Sequence, residues 1–138
     1  YHGSKNRFDA FDLIDNKTYK EFDIPSWFFT KNKKYAEKYG NVLYTVKLNI
    51  NNTFDTSNKK HFNLFLKTLK ELEISPKEID IILDEQFYNE IPYWTCENAF
   101  YAAVKNGFDS ILIQEELETE ILSVAVFDKR NIEIIKIE

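Results

Sequence analysis

Apolar and polar positions change period along the chain, and the changes mark out its elements. Trp27-Phe28-Phe29-Thr30 is a short aromatic run that predicts a strand, and Pro25 before it disfavours helix at Ile24. Thr30 or Asn32 can cap a short helix through Tyr39, and Gly40 fits the position just past its end. On that helix Tyr35 and Tyr39 stand four residues apart and share a face. Residues 41–50, rich in Val, Leu, Tyr and Thr, predict the clearest early strand, and Asn51-Asn52-Thr53 starts a turn. Apolar residues at 62, 65, 66, 69 and 72 make a helical stripe from His61 to Leu72. Ser75-Pro76-Lys77-Glu78 has the form of a capping box with proline at the first helical position, so a second helix runs to about Asn89. Pro92 breaks the chain before a third helix, from Thr95 or Cys96 to Asn106, closed by Gly107. Asp109 to Gln114, Ile121 to Phe127 and Ile132 to Ile137 predict strands, the last alternating isoleucine with charge.

Ahead of these, Tyr1 to Gly3 has the character of a strand end. Asn6 to Pro25 is a polar connection with scattered aromatics and one short helix expected near Phe8 to Leu13. The order is strand, helix, strand, three helices, three strands. A closing run of strands suggests antiparallel pairing, which favours an α+β fold over a doubly wound sheet. With no internal repeat or low-complexity linker, residues 1–138 are expected to form a single domain. Neither the dinucleotide fingerprint G-x-G-x-x-G nor the P-loop pattern is present.

Charge and cysteine usage narrow the function. The net charge of −5 argues against a nucleic-acid backbone as the main partner, while leaving room for a small anionic ligand held by backbone N–H groups. Cys96 is the lone cysteine and cannot form an internal disulfide; with two distant histidines it does not make a zinc site, so no metal is expected. A reducing, cytoplasmic setting is expected. No apolar run reaches the roughly 18 residues that span a bilayer, so no membrane association is expected. There is no methionine, so the chain as given does not begin at a start codon.

The residues that could carry chemistry each have a plainer reading. His2 beside Gly3 and Ser4 can present its ring to a cleft, with Gly3 admitting a ligand to the backbone; it can equally be a surface histidine at a chain end. Phe28, Phe29, Tyr35 and Tyr39 can stack on a flat ring, a contribution on the order of 1 kcal/mol beyond burial, or can be core. His61 and Cys96 are expected to be structural.

Tyr1-His2-Gly3-Ser4 resembles the first motif of the ADP-ribosyltransferases of the histidine–tyrosine–glutamate type, which include the poly(ADP-ribose) polymerases and the diphtheria-like toxins. In that family an aromatic strand follows, and a tyrosine lies eleven residues after its first cleft aromatic, the spacing of Phe28 and Tyr39 (39 − 28 = 11). The rest is similar to the small phage and bacterial members found in polyvalent proteins. The corresponding residues are Phe28-Phe29-Thr30, Ala36, Tyr39-Gly40, Leu43 to Leu48, Asn52 to Asp55, Gly107-Phe108-Asp109 and Val126-Phe127-Asp128. The helical insert from His61 to Asn89 resembles that of phage anti-CRISPR ADP-ribosyltransferases.

The resemblance implies two split antiparallel sheets with a helical insert. It implies NAD as substrate and mono-ADP-ribosyl transfer to a macromolecule in phage or bacterial conflict. A protein target is expected, with a nucleic-acid target left open. Plain NAD glycohydrolysis, a catalytically silent NAD- or ADP-ribose-binding module, and a structural or inhibitory domain acting through its helical insert are the alternatives. His2 would hydrogen-bond the adenosine ribose and the Gly3 backbone the nicotinamide amide, with Ser4 and Thr30 at the same site. Tyr39 would stack on nicotinamide, with Phe28 or Tyr35 across the ring. The family's glutamate aligns with Ser123, which would share a strand face with Ala125 and Phe127. Serine carries no charge at neutral pH. Glu120 is the carboxylate chosen to replace it, with Glu115, Glu116 and Glu97 as other candidates; the plain reading of the acidic stretch is a solvated hairpin tip.

Overall fold

In the computed structural model, which describes residues 1–12, 17–19, 24–86, 97–114 and 121–138, the strands divide between two main sheets. The first is antiparallel, in the order β1 (His2–Ser4), β5 (Val42–Leu48), β9 (Ile132–Ile137). The second runs β4 (Trp27–Thr30), β8 (Leu122–Val126), β7 (Ser110–Gln114), β6 (Thr53–Phe54), and is antiparallel except for the β6–β7 pair. A small ribbon joins β2 (Lys17–Tyr19) to β3 (Ile24–Pro25). Four helices complete the described chain: α1 (Lys33–Glu37), α2 (Lys59–Glu71), α3 (Pro76–Gln86) and α4 (Glu97–Lys105). This is the α+β fold that the order of elements favours, with the antiparallel strands divided between two sheets as the resemblance implies. No helix of the described residues is long and apolar enough to cross a membrane.

The second sheet is buried on both faces. Trp27 and Phe29 of β4 stand opposite Val126 and Val124 of β8, and face the first sheet with Phe11, Tyr44, Ile132 and Ile134. Phe28 and Thr30 stand opposite Ala125 and Ser123 on the other face. That side packs against helices, in a core built from Phe54, Phe65, Leu69, Phe100 and Ile111. α2 is therefore no appendage, because its Phe65 and Leu69 are fully buried.

Several local expectations change under tertiary contact. The closing strands do not form one meander, since β9 leaves β8 and pairs with β5. Asp128 caps a single 3-10 turn, accepting the Arg130 N–H at 2.9 Å, and this turns the chain toward the other sheet. A bulge then leaves Ile135 out of register between the Val46–Ile134 and Thr45–Lys136 pairs. Ile132, Ile134 and Ile137 can all face the core despite the broken alternation, while Ile135 is left exposed.

Residues 8–12, where a short helix is expected, are not helical; Leu13 lies outside the described residues. The Tyr44 hydroxyl takes both hydrogen bonds of Phe8, accepting from its N–H at 2.6 Å and donating to its carbonyl at 3.0 Å. The rings stack at 4.2 Å. The turn at Asn51 continues into β6, held by Asp109, whose carboxylate accepts the Asn51 and Asn52 N–H groups at 2.8 and 3.2 Å. α2 starts earlier than its stripe, with Asn58 as cap. His61 sits near that start as a structural residue, its Nδ1 accepting the Asp55 N–H at 2.9 Å. The Ser75 hydroxyl accepts the Glu78 N–H at 3.2 Å, as a cap should. The expected end of α3 near Asn89, the break at Pro92 and Cys96 lie outside the described residues.

Candidate active site

β1 lies at the split between the sheets. On one side His2 pairs with Tyr44 of β5. On the other, the Tyr1 carbonyl accepts the Thr30 N–H at 3.0 Å and the Tyr1 nitrogen donates to the Thr30 carbonyl at 2.6 Å, at the end of β4. α1 folds back across β1, capped by Asn32, whose side chain accepts the Tyr35 N–H at 2.9 Å. Two glycines allow this close approach. A Cβ on Gly3 would stand 1.8 Å from the Ala36 carbonyl oxygen, and one on Gly40 would stand 2.1 Å from the Ser4 carbonyl oxygen. No larger residue fits at either position without moving backbone, so α1 lies on β1, and Tyr35 and Tyr39 meet His2 and Gly3 around one cavity.

A cavity of about 240 Å³ opens there, lined by His2, Gly3, Phe28, Thr30, Tyr35, Tyr39 and Ser123, with Tyr1, Phe29 and Ala36 between them. The His2 Nδ1 is 2.9 Å from the Phe28 carbonyl oxygen, which can only accept, so Nδ1 carries the proton and Nε2 is left as an acceptor. Phe11 and Phe29 lie 5.2 and 5.6 Å from the ring. Burial among them holds the His2 pKa below the ordinary histidine value, against the smaller opposing pull of the Phe28 carbonyl. The imidazole is neutral at pH 7 and offers a lone pair.

Tyr35 is buried, and its hydroxyl lies 2.8 Å from that of Tyr39. The two rings meet edge to face at 5.5 Å, so Tyr39 is held in orientation although half of it is exposed at the rim. The Thr30 hydroxyl donates to the Leu122 carbonyl at 3.0 Å and accepts the Asn32 N–H at 3.1 Å, tying β4, β8 and the helix cap together. Ser123 is buried directly opposite Thr30, at the place where the resemblance expects a glutamate.

Ser4 does not line the cavity; its hydroxyl is engaged in a turn with Asn6, at 2.8 and 3.2 Å. Glu120, Glu115 and Glu116 lie outside the described residues, and Glu97 is the first residue of α4. The described lining therefore carries no carboxylate. Tyr1 and Ala36 were not among the expected site residues; the sign of Ala36 is a small side chain between two tyrosines on a helix that meets a glycine. A wider groove of about 790 Å³ shares Tyr1, Phe29, Thr30 and Ser123 with the cavity and continues between the sheets past Lys31, Val46 and Leu48.

The cavity is smaller than the roughly 300–1,000 Å³ that encloses a drug-sized ligand. Its lining combines aromatic walls with the neutral His2 ring and a glycine. A family model described as ADP-ribosyltransferase in polyvalent proteins matches residues 1–136. No curated protein and no solved structure matches the chain. ADP-ribosyltransferases in general use NAD as substrate. Matched over nearly its whole length, the chain belongs to the ADP-ribosyltransferase family of polyvalent proteins.

Proposed function

We propose that this single domain transfers one ADP-ribose unit from NAD to a macromolecular target, in the setting of conflict between phages and bacteria. The observation that carries this reading is the convergence of His2, Tyr35, Tyr39 and Ser123 on one cavity, in a chain of this family.

Nicotinamide would enter between Tyr39 and Phe28, with its amide beside the Gly3 backbone. Tyr35 would hold Tyr39 through the hydroxyl pair. His2 would accept a hydrogen bond from a ribose hydroxyl at Nε2. As the glycosidic bond breaks, its electron pair passes to the nicotinamide nitrogen and neutralises the pyridinium charge. Positive charge develops on the ribose, as in an oxocarbenium-like transition state, until the acceptor's nucleophile bonds to C1′. A carboxylate nearby would stabilise that charge, and loss of one such positioned group slows a reaction by about 100- to 1,000-fold. Ser123 can only hydrogen-bond, so we assign this role to Glu120, three residues earlier.

Nicotinamide release from NAD tests the assignment, with His2→Ala, Tyr39→Ala and Glu120→Gln in parallel. Release abolished by the first two establishes the cleft, and a fall of about 100-fold or more in Glu120→Gln establishes the carboxylate. Ser123 favours a second reading, a silent NAD- or ADP-ribose-binding module. It predicts no release, but a thermal shift with NAD that requires His2. Neither release nor binding refutes both.

A further inference from the structure

The net charge of −5 conceals a segregation. Residues 31–38, Lys-Asn-Lys-Lys-Tyr-Ala-Glu-Lys, carry four lysines against one glutamate (4 − 1 = +3), so the rest of the chain carries −5 − 3 = −8. This stretch is α1 and its flanks, and all four lysines are exposed. Lys34 and Lys38 stand four residues apart, as Tyr35 and Tyr39 do, so a lysine row runs beside the tyrosine row that lines the cavity. The Lys38 Nζ lies 5.0 Å from the centre of the Tyr35 ring. Lys31 lines the adjoining groove, and Lys5 follows β1 where the Lys5 nitrogen lies against Gly40. Cations therefore stand on the elements around the cavity, from the adjoining groove to the end of β1.

The fold does not need this arrangement. Like charges at this spacing raise the energy of a helix, and α1 is only five residues long. Lys33 has an ion pair, with Glu138 at 3.5 Å, whereas Lys5, Lys31 and Lys34 have no carboxylate partner among the described residues. We propose that this lysine row is a docking surface for the phosphate backbone of a single-stranded nucleic acid, which it would hold along the mouth of the cavity. The row extends past both ends of α1, to Lys31 and to Lys38. Half-exposed Tyr39 adds an aromatic ring at the same rim, the combination that single-strand-binding surfaces use. The proposal does not rest on the assignment of the cavity to NAD.

The test is fluorescence anisotropy with a labelled single-stranded DNA of about 20 nucleotides, at 50 and 200 mM salt. Phosphate contacts from the four lysines of residues 31–38 give a log–log slope of about −2.8, a loss of about 50-fold in affinity over that range. Lys31→Ala with Lys34→Ala leaves two contacts, so the slope falls to about −1.4 and the loss to about 7-fold. Lys67→Ala with Lys70→Ala on α2 keeps the full slope, and nicotinamide release from NAD alone is unchanged by either pair. Absence of binding at 50 mM salt overturns the proposal, as does a slope indifferent to Lys31 and Lys34. So does a raised KM for NAD in the first pair without oligonucleotide binding, which assigns the row to the NAD diphosphate instead.

Discussion

Gly3→Ala tests the packing that forms the cavity. The added methyl would lie 1.8 Å from the Ala36 carbonyl oxygen, where ordinary contact begins at 3.4 Å, so α1 or β1 must move by about 3.4 − 1.8 = 1.6 Å. The obstacle is helix backbone, not the end of a flexible side chain, so the strain falls at the upper end of overpacking, about 3 kcal/mol. Unfolding entropy of about 2.1 cal/mol/K per residue amounts to about 0.29 kcal/mol/K over 138 residues, so the melting temperature should fall by about 10 °C. The same shift carries Tyr39, whose Cβ would lie 3.3 Å from the new methyl, away from His2, so nicotinamide release should fall further than stability alone explains. Scanning calorimetry and the release assay read the two effects. Gly107→Ala is the control: nothing lies within 4 Å of its added methyl, and only the positive φ of 81° is penalised, by about 1–2 kcal/mol. Gly3 has no positive φ, so without the clash alanine there would stabilise by about 0.4–1 kcal/mol through the unfolded chain. An unchanged or raised melting temperature for Gly3→Ala would refute the close contact of α1 with β1.

Three further outcomes follow from the same contacts. Tyr44→Phe removes the hydroxyl that serves both Phe8 backbone groups, and should cost about 2 kcal/mol in urea unfolding, with faster amide exchange at Phe8; an unaltered midpoint would contradict it. Phe65→Ala should cost about 3–5 kcal/mol, because α2 is part of the main core; a much smaller loss would make α2 a separable insert. For His2 the folded pKa is lowered by burial, so on acidification the unfolded chain takes the proton first. Its contribution to stability is full above the unfolded pKa of about 6.5 and is lost as pH falls through the lower folded value. Wild type should therefore lose more stability between pH 7 and pH 5 than His2→Asn, and equal losses would show that His2 is not buried in its neutral form.

Much of the secondary structure was written in local signals. The tyrosine pair and Asn32 cap of α1, the stripe of α2, the Ser75 cap of α3 and the glycine after α4 each act within a few residues, and each element forms. Strand parity was equally legible: Ser123 and Ala125 lie on one sheet face, the face that their partners Thr30 and Phe28 also occupy. The order of motifs was enough to indicate the family.

Partner choice was not local, and only the tertiary structure decided it. β9 pairs with β5 because its isoleucines complete the core between the sheets, and the bulge at Ile135 repairs an alternation that the sequence breaks. Residues 8–12 stay out of helix because a tyrosine 36 positions later takes the hydrogen bonds of Phe8. Two-residue β6 has no period to detect and is set by its pairing with β7 and by Asp109, which grips the chain before it. At the site, sequence pointed to His2, Gly3 and Tyr39. That Gly3 serves the helix packed upon it, that Ser4 turns away, and that Tyr35 orients Tyr39 depend on distances between elements, which no spacing along the chain encodes.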